Sequence, residues 1–424
     1  MRKILLNKLS AEQLKLIRLI GKIAEKNKFS AYLVGGIVRD LLLGKLSQDL
    51  DIVVEGNGVK FARDLARRLK NIKSVYHHKF GTATLWLAGN LRIDIATCRK
   101  EVYDFPGALP KVESGTIKDD LLRRDFSINA LAVRLDPKGL AGLVDFCAGI
   151  SDLKKGKIRV IHDLSFVDDP TRILRAIRFK ERFSFILEGH TVKLLESALR
   201  SAVLNYLKSP RLFAEFKKLL SESNPKKAIL SVAKICGLGF IHPRIKLDKK
   251  LSRLLGAVER EMKWFKSNLS KRIEPEVWLI YFMSLLSGLS SAEKKVLLEK
   301  FNLNSEDRKK IADFKEAGLL KSLSKKTANA GQVYRLLKPL SYETVLFLKS
   351  SNKSRLVNRR IENFLRLHSH IKTAIGGSEL RSLGFKEGRN IGRVLEQILL
   401  ARIEGRLNSR REELNFASKI LKDL

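Results

Sequence analysis

A short apolar run, a double glycine, a helix and a second apolar run headed by two aspartates follow one another near the start of this chain. The residues are Leu33-Val34-Gly35-Gly36, then Ile37 to Gly44 with Arg39 inside it, then Asp49-Leu50-Asp51-Ile52-Val53-Val54. The pattern reads as strand, turn, helix, strand. Glycines let a polyphosphate approach the backbone, and a helix N-terminus offers it N–H donors. Arg39 adds a further phosphate contact. Residues i and i+2 of a strand share a face, so Asp49 and Asp51 stand side by side. Two such carboxylates repel unless a cation lies between them, and magnesium with oxygen ligands is the natural cation. Paired metals about 3.5–4 Å apart activate an attacking hydroxyl and stabilise a leaving phosphate. Gly35-Gly36 alone would be an ordinary turn and Asp49/Asp51 alone an exposed strand. Their conjunction with Arg39 and Gly44 selects the metal-and-phosphate reading.

The texture of the chain changes near residue 150. Before it, β-type runs (Ala31–Val34, Leu50–Val54, Thr82–Leu87 and Leu91–Ala96) alternate with helical stretches. After it, Leu, Ile, Lys, Arg and Glu recur at helical spacing almost to the end. Helix stops are expected at Gly237-Leu238-Gly239 and at Gly376-Gly377. No apolar run approaches the roughly 18 residues of a membrane span. The apolar stretch after Met1 is too short for a signal peptide. The 3 cysteines (Cys98, Cys147 and Cys236) are too few and too scattered for a disulfide framework or a zinc site. A reducing, cytoplasmic setting follows.

Charge narrows the partner. The chain carries 83 Lys and Arg against 45 Asp and Glu, a net +38. Residues 1–150 account for +10 and the remainder for +28. Lys and Arg that neutralise phosphates release counterions, so nucleic acid is the expected partner, with an anionic membrane surface the alternative.

Three further strings carry chemistry. In Leu121-Leu122-Arg123-Arg124-Asp125-Phe126-Ser127-Ile128-Asn129-Ala130, guanidiniums can grip a triphosphate while the acid accepts from a ribose hydroxyl. In Asp168-Asp169-Pro170-Thr171-Arg172-Ile173-Leu174-Arg175-Ala176-Ile177-Arg178, Pro170 suits a first helical turn. Asp169 and Arg172 then project from one helix face. Arg92-Ile93-Asp94-Ile95 places a third acid, Asp94, on a neighbouring strand, as a further carboxylate of the site or as a polar residue on an open face.

Together these strings resemble the nucleotidyltransferases of the DNA polymerase β superfamily. In detail they are similar to the class II tRNA nucleotidyltransferases, or CCA-adding enzymes, and to the bacterial poly(A) polymerases. The resemblance implies an α+β chain with a nucleotidyltransferase head, a small mixed β-sheet with helices, over 1–148. An elongated all-α remainder follows: a neck at 149–220 carrying the base-selecting helix, a body at 221–305 and a tRNA-binding tail at 306–424. It implies catalytic Asp49, Asp51 and Asp94, with Asp49 and Asp51 holding Mg2+. Nucleotide binding falls to Gly35, Gly36, Arg39, Arg123, Arg124, Asp125, Asn129, Asp169, Arg172, Arg175 and Arg178. The segment 99–115 matches the family's flexible loop, with Pro106-Gly107 and Pro110. Asp168 departs from the family's usual Glu and leaves any role of that acid open. Ser209-Pro210-Arg211-Leu212-Phe213 resembles a neck helix whose apolar residues are core.

Asp169 and Arg172 would act as an amino-acid template. Cytosine and adenine each present an amino donor beside a ring-nitrogen acceptor. Uracil and guanine present the reverse, leaving buried groups unpaired at a loss of roughly 1–3 kcal/mol each. CTP and ATP are therefore the expected substrates, and the acceptor arm of tRNA the expected partner, without a membrane or an obligate protein partner. RNA contacts are expected at Lys353, Arg355, Arg359 and Arg360 and, around the Gly-rich turn at 376–393, at Lys386, Arg389 and Arg393. Three alternatives stay open: an enzyme adding only CC or only A, a poly(A) polymerase, and an inactive RNA-binding protein. The catalytic turn's position near Met1 and the intact acids argue against the last two. His162-Asp163, Trp264 and Trp278 are given no chemistry.

Overall fold

The computed structural model describes residues 9–45, 49–69, 72–88, 91–105, 107–206, 209–269, 273–312 and 316–422. Ser47 and Gln48, just before the aspartate pair, and Pro106 of the expected loop lie outside them. The chain divides into two compact units, Met1–Leu219 and Leu220–Leu424.

The first unit opens with α1 (Ala11–Lys26), whose N-cap Ser10 and Gln13 satisfy each other's backbone N–H groups. There follow β1 (Ser30–Val34), α2 (Gly36–Leu42), β2 (Asp49–Glu55), α3 (Gly58–Ala66), β3 (Lys73–His77), β4 (Thr82–Trp86) and β5 (Arg92–Thr97). Then come β6 (Arg99–Val102), β7 (Lys111–Ser114), α4 (Ile117–Leu122), β8 (Leu131–Asp136) and β9 (Gly139–Asp145). Seven strands form one mixed sheet in the order β3-β4-β5-β2-β1-β8-β9. Within it β2 and β5 run parallel, and the other neighbours are antiparallel.

Alternation along the strands gives the sheet two different faces. Leu33, Leu50, Ile52, Val54, Ile93 and Ile95 point to a core shared with α1 and α3. Each such buried side chain contributes about 1.5–3 kcal/mol. Gly21 lets α1 lie directly on the end of β8, since a Cβ there would stand 2.0 Å from the Asp136 carbonyl oxygen. On the opposite face Tyr32, Val34, Val53 and Ala132 pack beneath Ile117 and Leu121 of α4. Asp51 belongs to this second face by its spacing from Val53.

Two expectations about the first unit are corrected. The segment expected as a loop at 99–115 is a β-hairpin, with β6 and β7 paired from Arg99↔Ser114 to Val102↔Lys111. Its strands lack an apolar face, so periodicity gave no strand signal. The helix expected to select the base starts at Thr171, with Pro170 as its N-cap rather than inside its first turn.

The rest of this unit is α5 (Gly149–Lys155), α6 (Ser165–Asp168), α7 (Thr171–Phe183), α8 (Gly189–Arg200) and α9 (Ser209–Leu220), with a short parallel strand pair at Lys157–Ile158 and Ile186–Leu187. Asp145 caps α5, accepting from the N–H groups of Gly149 and Ile150 at 2.9 and 3.0 Å.

In the second unit every described regular element is helical. Val277–Leu286 is buried almost all round, and Trp278 is core. The helix Pro225–Ile235 ends just before Gly237, which has φ +69°. Gly376-Gly377 does not stop a helix. It starts Gly377–Ser382, with Glu379 reaching back to the Gly376 N–H at 3.0 Å. The last helices close on Leu380, Phe385, Val394, Ile398 and Ala401.

Candidate active site

The parallel pairing of β2 and β5 sets Asp51 beside Asp94, with Asp49 beside Arg92. Asp94 accepts from Thr84 Oγ1 at 2.6 Å and pairs with Arg92 at 2.8 Å. Burial, and then the neighbouring Asp94, raise the Asp51 carboxyl above its ordinary range, with Arg124 pulling the other way. Such a carboxylate gains from a cation, and its oxygens are hard donors that suit magnesium. Among the described residues no group of three or more His, Cys, Asp or Glu forms a metal cage. Asp49 and Asp51 are the residues that would hold such a metal.

A second, arginine-lined feature lies in the same unit. A cavity of about 650 Å³ is lined by all eleven residues expected to bind nucleotide, from Gly35 to Arg178. Eight arginines line it against four acids, Glu101, Asp125, Asp169 and Glu215, an excess that fits a polyphosphate. Asp49, Asp51 and Asp94 are not among the lining residues.

At Gly35 the backbone takes φ +71°, and a Cβ would meet Arg124 Nη1 at 2.5 Å. Only glycine permits both the turn and that approach. Arg39, almost fully buried on α2, donates from Nε to Asp40 at 2.9 Å and from Nη1 to Asn129 Oδ1. Its guanidinium lies 4.7 Å from the Phe183 ring centroid.

Asn129 in turn donates to Asp125 Oδ1 at 2.9 Å, which also accepts from the Phe126 N–H. Arg175 takes Asp125 Oδ2 with both Nε and Nη2. Burial opposes the charge on Asp125, yet Arg175 and Asn129 hold its carboxyl below the ordinary range. A carboxylate has about four lone-pair sites. All are engaged here, so accepting from a ribose hydroxyl requires one of these partners to let go.

Arg123 and Arg124 share one fully buried acid that the sequence reading missed. Asp120 Oδ1 accepts from Arg123 Nε and Nη2 at 3.0 and 2.6 Å. Its Oδ2 accepts from Arg124 Nε and Nη2 at 3.3 and 2.9 Å. The i,i+3 and i,i+4 spacing of the two arginines, just past the end of α4, from Asp120 was the available signal. Glu101 of the hairpin was also missed; it pairs with Arg99 and Arg123 at 2.8 and 2.9 Å.

At the other end of the cavity, Asp169 Oδ1 accepts from the Thr171 N–H at 3.1 Å and from its hydroxyl at 2.6 Å. Arg172 donates from Nη1 to Ser165 Oγ at 2.6 Å and from Nη2 to the Arg123 carbonyl at 2.8 Å, with Nη1 3.4 Å from His162 Nε2. Of its five N–H donors, three have partners among the described residues. His162 and Asp163 are engaged by Arg172 and His190 respectively.

The residues expected to touch RNA lie in the second unit. Lys353, Arg355, Arg359, Lys386 and Arg393 are exposed. Arg360 donates instead to the carbonyls of Leu323, Lys325 and Ala328 at 2.6–2.8 Å, closing the C-terminus of Glu316–Ser324. The Arg389 side chain lies outside the described residues.

Comparison with known proteins decides the family. The model of the poly A polymerase head domain matches residues 31–159. A solved structure of the Thermotoga maritima CCA-adding enzyme complexed with tRNA superposes with TM-score 0.71 at 36% identity, covering 99% of this chain and 98% of that one. The chain belongs to the class II tRNA nucleotidyltransferases. Within this family it is similar to the A-adding tRNA nucleotidyltransferase of Geobacter sulfurreducens, 36% identical over 96% of this chain and 47% of that protein. The CCA-adding enzyme of Streptococcus pneumoniae is 27% identical over 97% of this chain and 98% of its own length. The chain thus spans about half the length of the A-adding relatives, 47%, 44% and 51%.

Proposed function

We propose that this chain extends the 3′ end of tRNA without a template, adding C, A or both from CTP and ATP and releasing pyrophosphate. The observation that carries the reading is the arginine-lined cavity, which gathers the triphosphate-gripping and base-reading residues in the same unit as the carboxylate face. The relatives named for CCA addition and A addition support the same chemistry.

Asp49 and Asp51 would hold magnesium. When bound, the metal neutralises triphosphate charge and favours attack at the α-phosphate. The rest belongs to the protein's own side chains. Arg123 and Arg124, held by Asp120, grip phosphate oxygens. Asp169 accepts from the exocyclic amino group of cytosine or adenine, and Arg172 donates to the adjacent ring nitrogen. The tRNA 3′-hydroxyl then attacks the α-phosphate, and pyrophosphate leaves. Exposed basic residues of the second unit contact the RNA by shape and phosphate, since an A-form duplex hides its major-groove edges. The head, neck, body and tail limits at 148, 220 and 305 go with this reading, as does a cytoplasmic location. Among the described residues no helix is long and apolar enough to cross a membrane.

Within this reading, A-only addition is the narrower form to set against full CCA addition, favoured by three A-adding relatives at 36–43% identity. One experiment separates the readings. Transfer RNAs ending before the terminal triplet, after one C and after CC are offered with CTP, ATP or both. Growth of the first RNA to full CCA length marks a CCA-adding enzyme. A single A added only to the CC end marks the A-adding one. Long A tracts, or no extension at all, would overturn both.

A further inference from the structure

The carboxylate face does not end at Asp94. Residues directly opposed across a ladder point to the same side of a sheet, so the strand registers carry this face onward. One row runs Asp51, Asp94, Thr84, Val75, from β2 through β5 and β4 to β3. The row beside it runs Asp49, Arg92, Trp86, Lys73. The 2.6 Å bond from Thr84 Oγ1 to Asp94 joins β4 and β5 on this side. On the other side of the same two strands Ala83, Leu85, Ile93 and Ile95 are buried.

Exposure rises along both rows, away from the carboxylates. Asp51 and Asp94 are half-buried, whereas Trp86 is 38% exposed, Val75 is 36% exposed, and Lys73 is exposed on the edge strand. A packed aromatic side chain buries about 150–250 Å². Trp86 forgoes part of that burial on a surface where both flanking residues of its row are cations. Arg92 pairs with Asp94 at 2.8 Å and keeps 47% of its side chain exposed. Lys73 Nζ lies 5.9 Å from the Trp86 ring centroid. An aromatic ring between cations on an open sheet suits single-stranded nucleic acid: a base stacks on the ring and the cations meet the backbone phosphates. Trp86 stands two strand spacings, about 10 Å, from Asp49. An RNA with a base on Trp86 can therefore bring its 3′-hydroxyl to the carboxylates. Trp86, Arg92 and Lys73 do not line the arginine-rich cavity, so that cavity stays open to the incoming nucleotide.

We propose that Trp86, with Arg92 and Lys73, is a stacking platform for the single-stranded 3′ end of the RNA being extended. The proposal rests on the function proposed above. One of the last bases stacks on the indole, Arg92 and Lys73 meet the phosphates beside it, and the terminal hydroxyl is delivered to the face of Asp49 and Asp51. Stacking tolerates any base because every base has a π face. The platform thus holds the growing end by its single-stranded form, while Asp169 and Arg172 choose the base that is added.

Extension and binding assays on the full chain test this. Trp86→Ala should raise KM for the tRNA primer about tenfold, the scale of one lost stack, and leave KM for the nucleotide unchanged. Trp86→Phe keeps an aromatic face and should restore most of the loss. Primers carrying an abasic site at the last or the preceding position decide the contact. At one of the two, the wild type should lose about tenfold and Trp86→Ala nothing further, because both changes remove the same stack. Losses that multiply at both positions, or an unchanged KM for the primer in Trp86→Ala, would overturn the proposal. A Trp86→Ala chain altered in self-association but not in RNA affinity would assign the face to a second copy and overturn it too. Lys73→Gln should lower the salt slope of single-strand binding by about 0.7, and an unchanged slope would remove Lys73 from the platform. Anisotropy with a short single-stranded RNA ending in CC needs no turnover. A wild-type chain that binds it through Trp86 yet extends no tRNA refutes the proposed function and leaves the platform standing.

Discussion

Asp120 shows how much of the site rests on a residue that touches no substrate in the proposed reaction. It is fully buried and accepts from two arginines at once. Burial opposes its charge, but Arg124 and Arg123 keep its carboxyl below the ordinary range. A depressed folded-state value adds stability that is complete above the unfolded carboxylate value, about pH 3.9, and is lost as pH falls through the folded one. Asp120→Asn should therefore cost about 3–5 kcal/mol near neutral pH, because two guanidiniums lose their buried partner. Its unfolding free energy should also fall less steeply than the wild type's on acidification. Denaturant titrations at several pH values measure both effects, and parallel acid limbs would count against this role. Sequence reasoning found Arg123 and Arg124 because their type announces phosphate chemistry. It passed over Asp120 because the two acids of that first helical turn, Asp119 and Asp120, also read as dipole partners. Asp125 was found as well, but its saturation by Arg175, Asn129 and Phe126 depends on residues up to 50 positions away, which no local pattern reveals.

At the scale of elements, four of the seven strands of the sheet were legible. The runs expected at Ala31–Val34, Leu50–Val54, Thr82–Leu87 and Leu91–Ala96 correspond to β1, β2, β4 and β5 within two residues at each end. What periodicity could not supply was partner choice. The parallel β2–β5 pairing sets Asp94 beside Asp51, and the exposed β6–β7 hairpin has no apolar stripe to announce it. Helix α1 makes a prediction of its own. Gly21→Ala should destabilise the first unit by about 1–3 kcal/mol, although alanine favours helix, because the added methyl must displace the Asp136 carbonyl. A thermal melt that shows stabilisation would mean α1 does not lie on β8 as described. On α7, Arg172→Ala should erode discrimination against UTP by about tenfold or more, the scale expected when a buried donor is removed. Competition between CTP and UTP in single-turnover incorporation reads this directly, and unchanged selectivity would remove Arg172 from the template.

At the scale of the whole molecule, the +38 charge is unevenly spread. The first 150 residues hold the acids of the proposed metal-and-phosphate site, and carry only +10. The basic excess of the remainder is not uniformly free for RNA. Lys353, Arg355 and Arg359 are exposed, whereas Arg360 closes a helix end. Replacing the first three by Gln should weaken tRNA binding and lower the salt slope by about 0.7–0.9 for each phosphate no longer neutralised. Arg360→Gln should instead lower the melting temperature with little change in slope. Binding isotherms at four salt concentrations, with a melt for each variant, test the division. Equal slopes for all the variants would place the RNA grip elsewhere.

The most direct test of the account is pyrophosphate release by the full chain given magnesium, CTP and ATP, and a tRNA lacking its 3′ end. Wild-type protein should release pyrophosphate only when that tRNA is present. Asp49→Ala and Asp51→Ala should each abolish release while binding the tRNA as tightly as the wild type. Release that survives either substitution, or that needs no tRNA, would contradict the assignment of the carboxylate face.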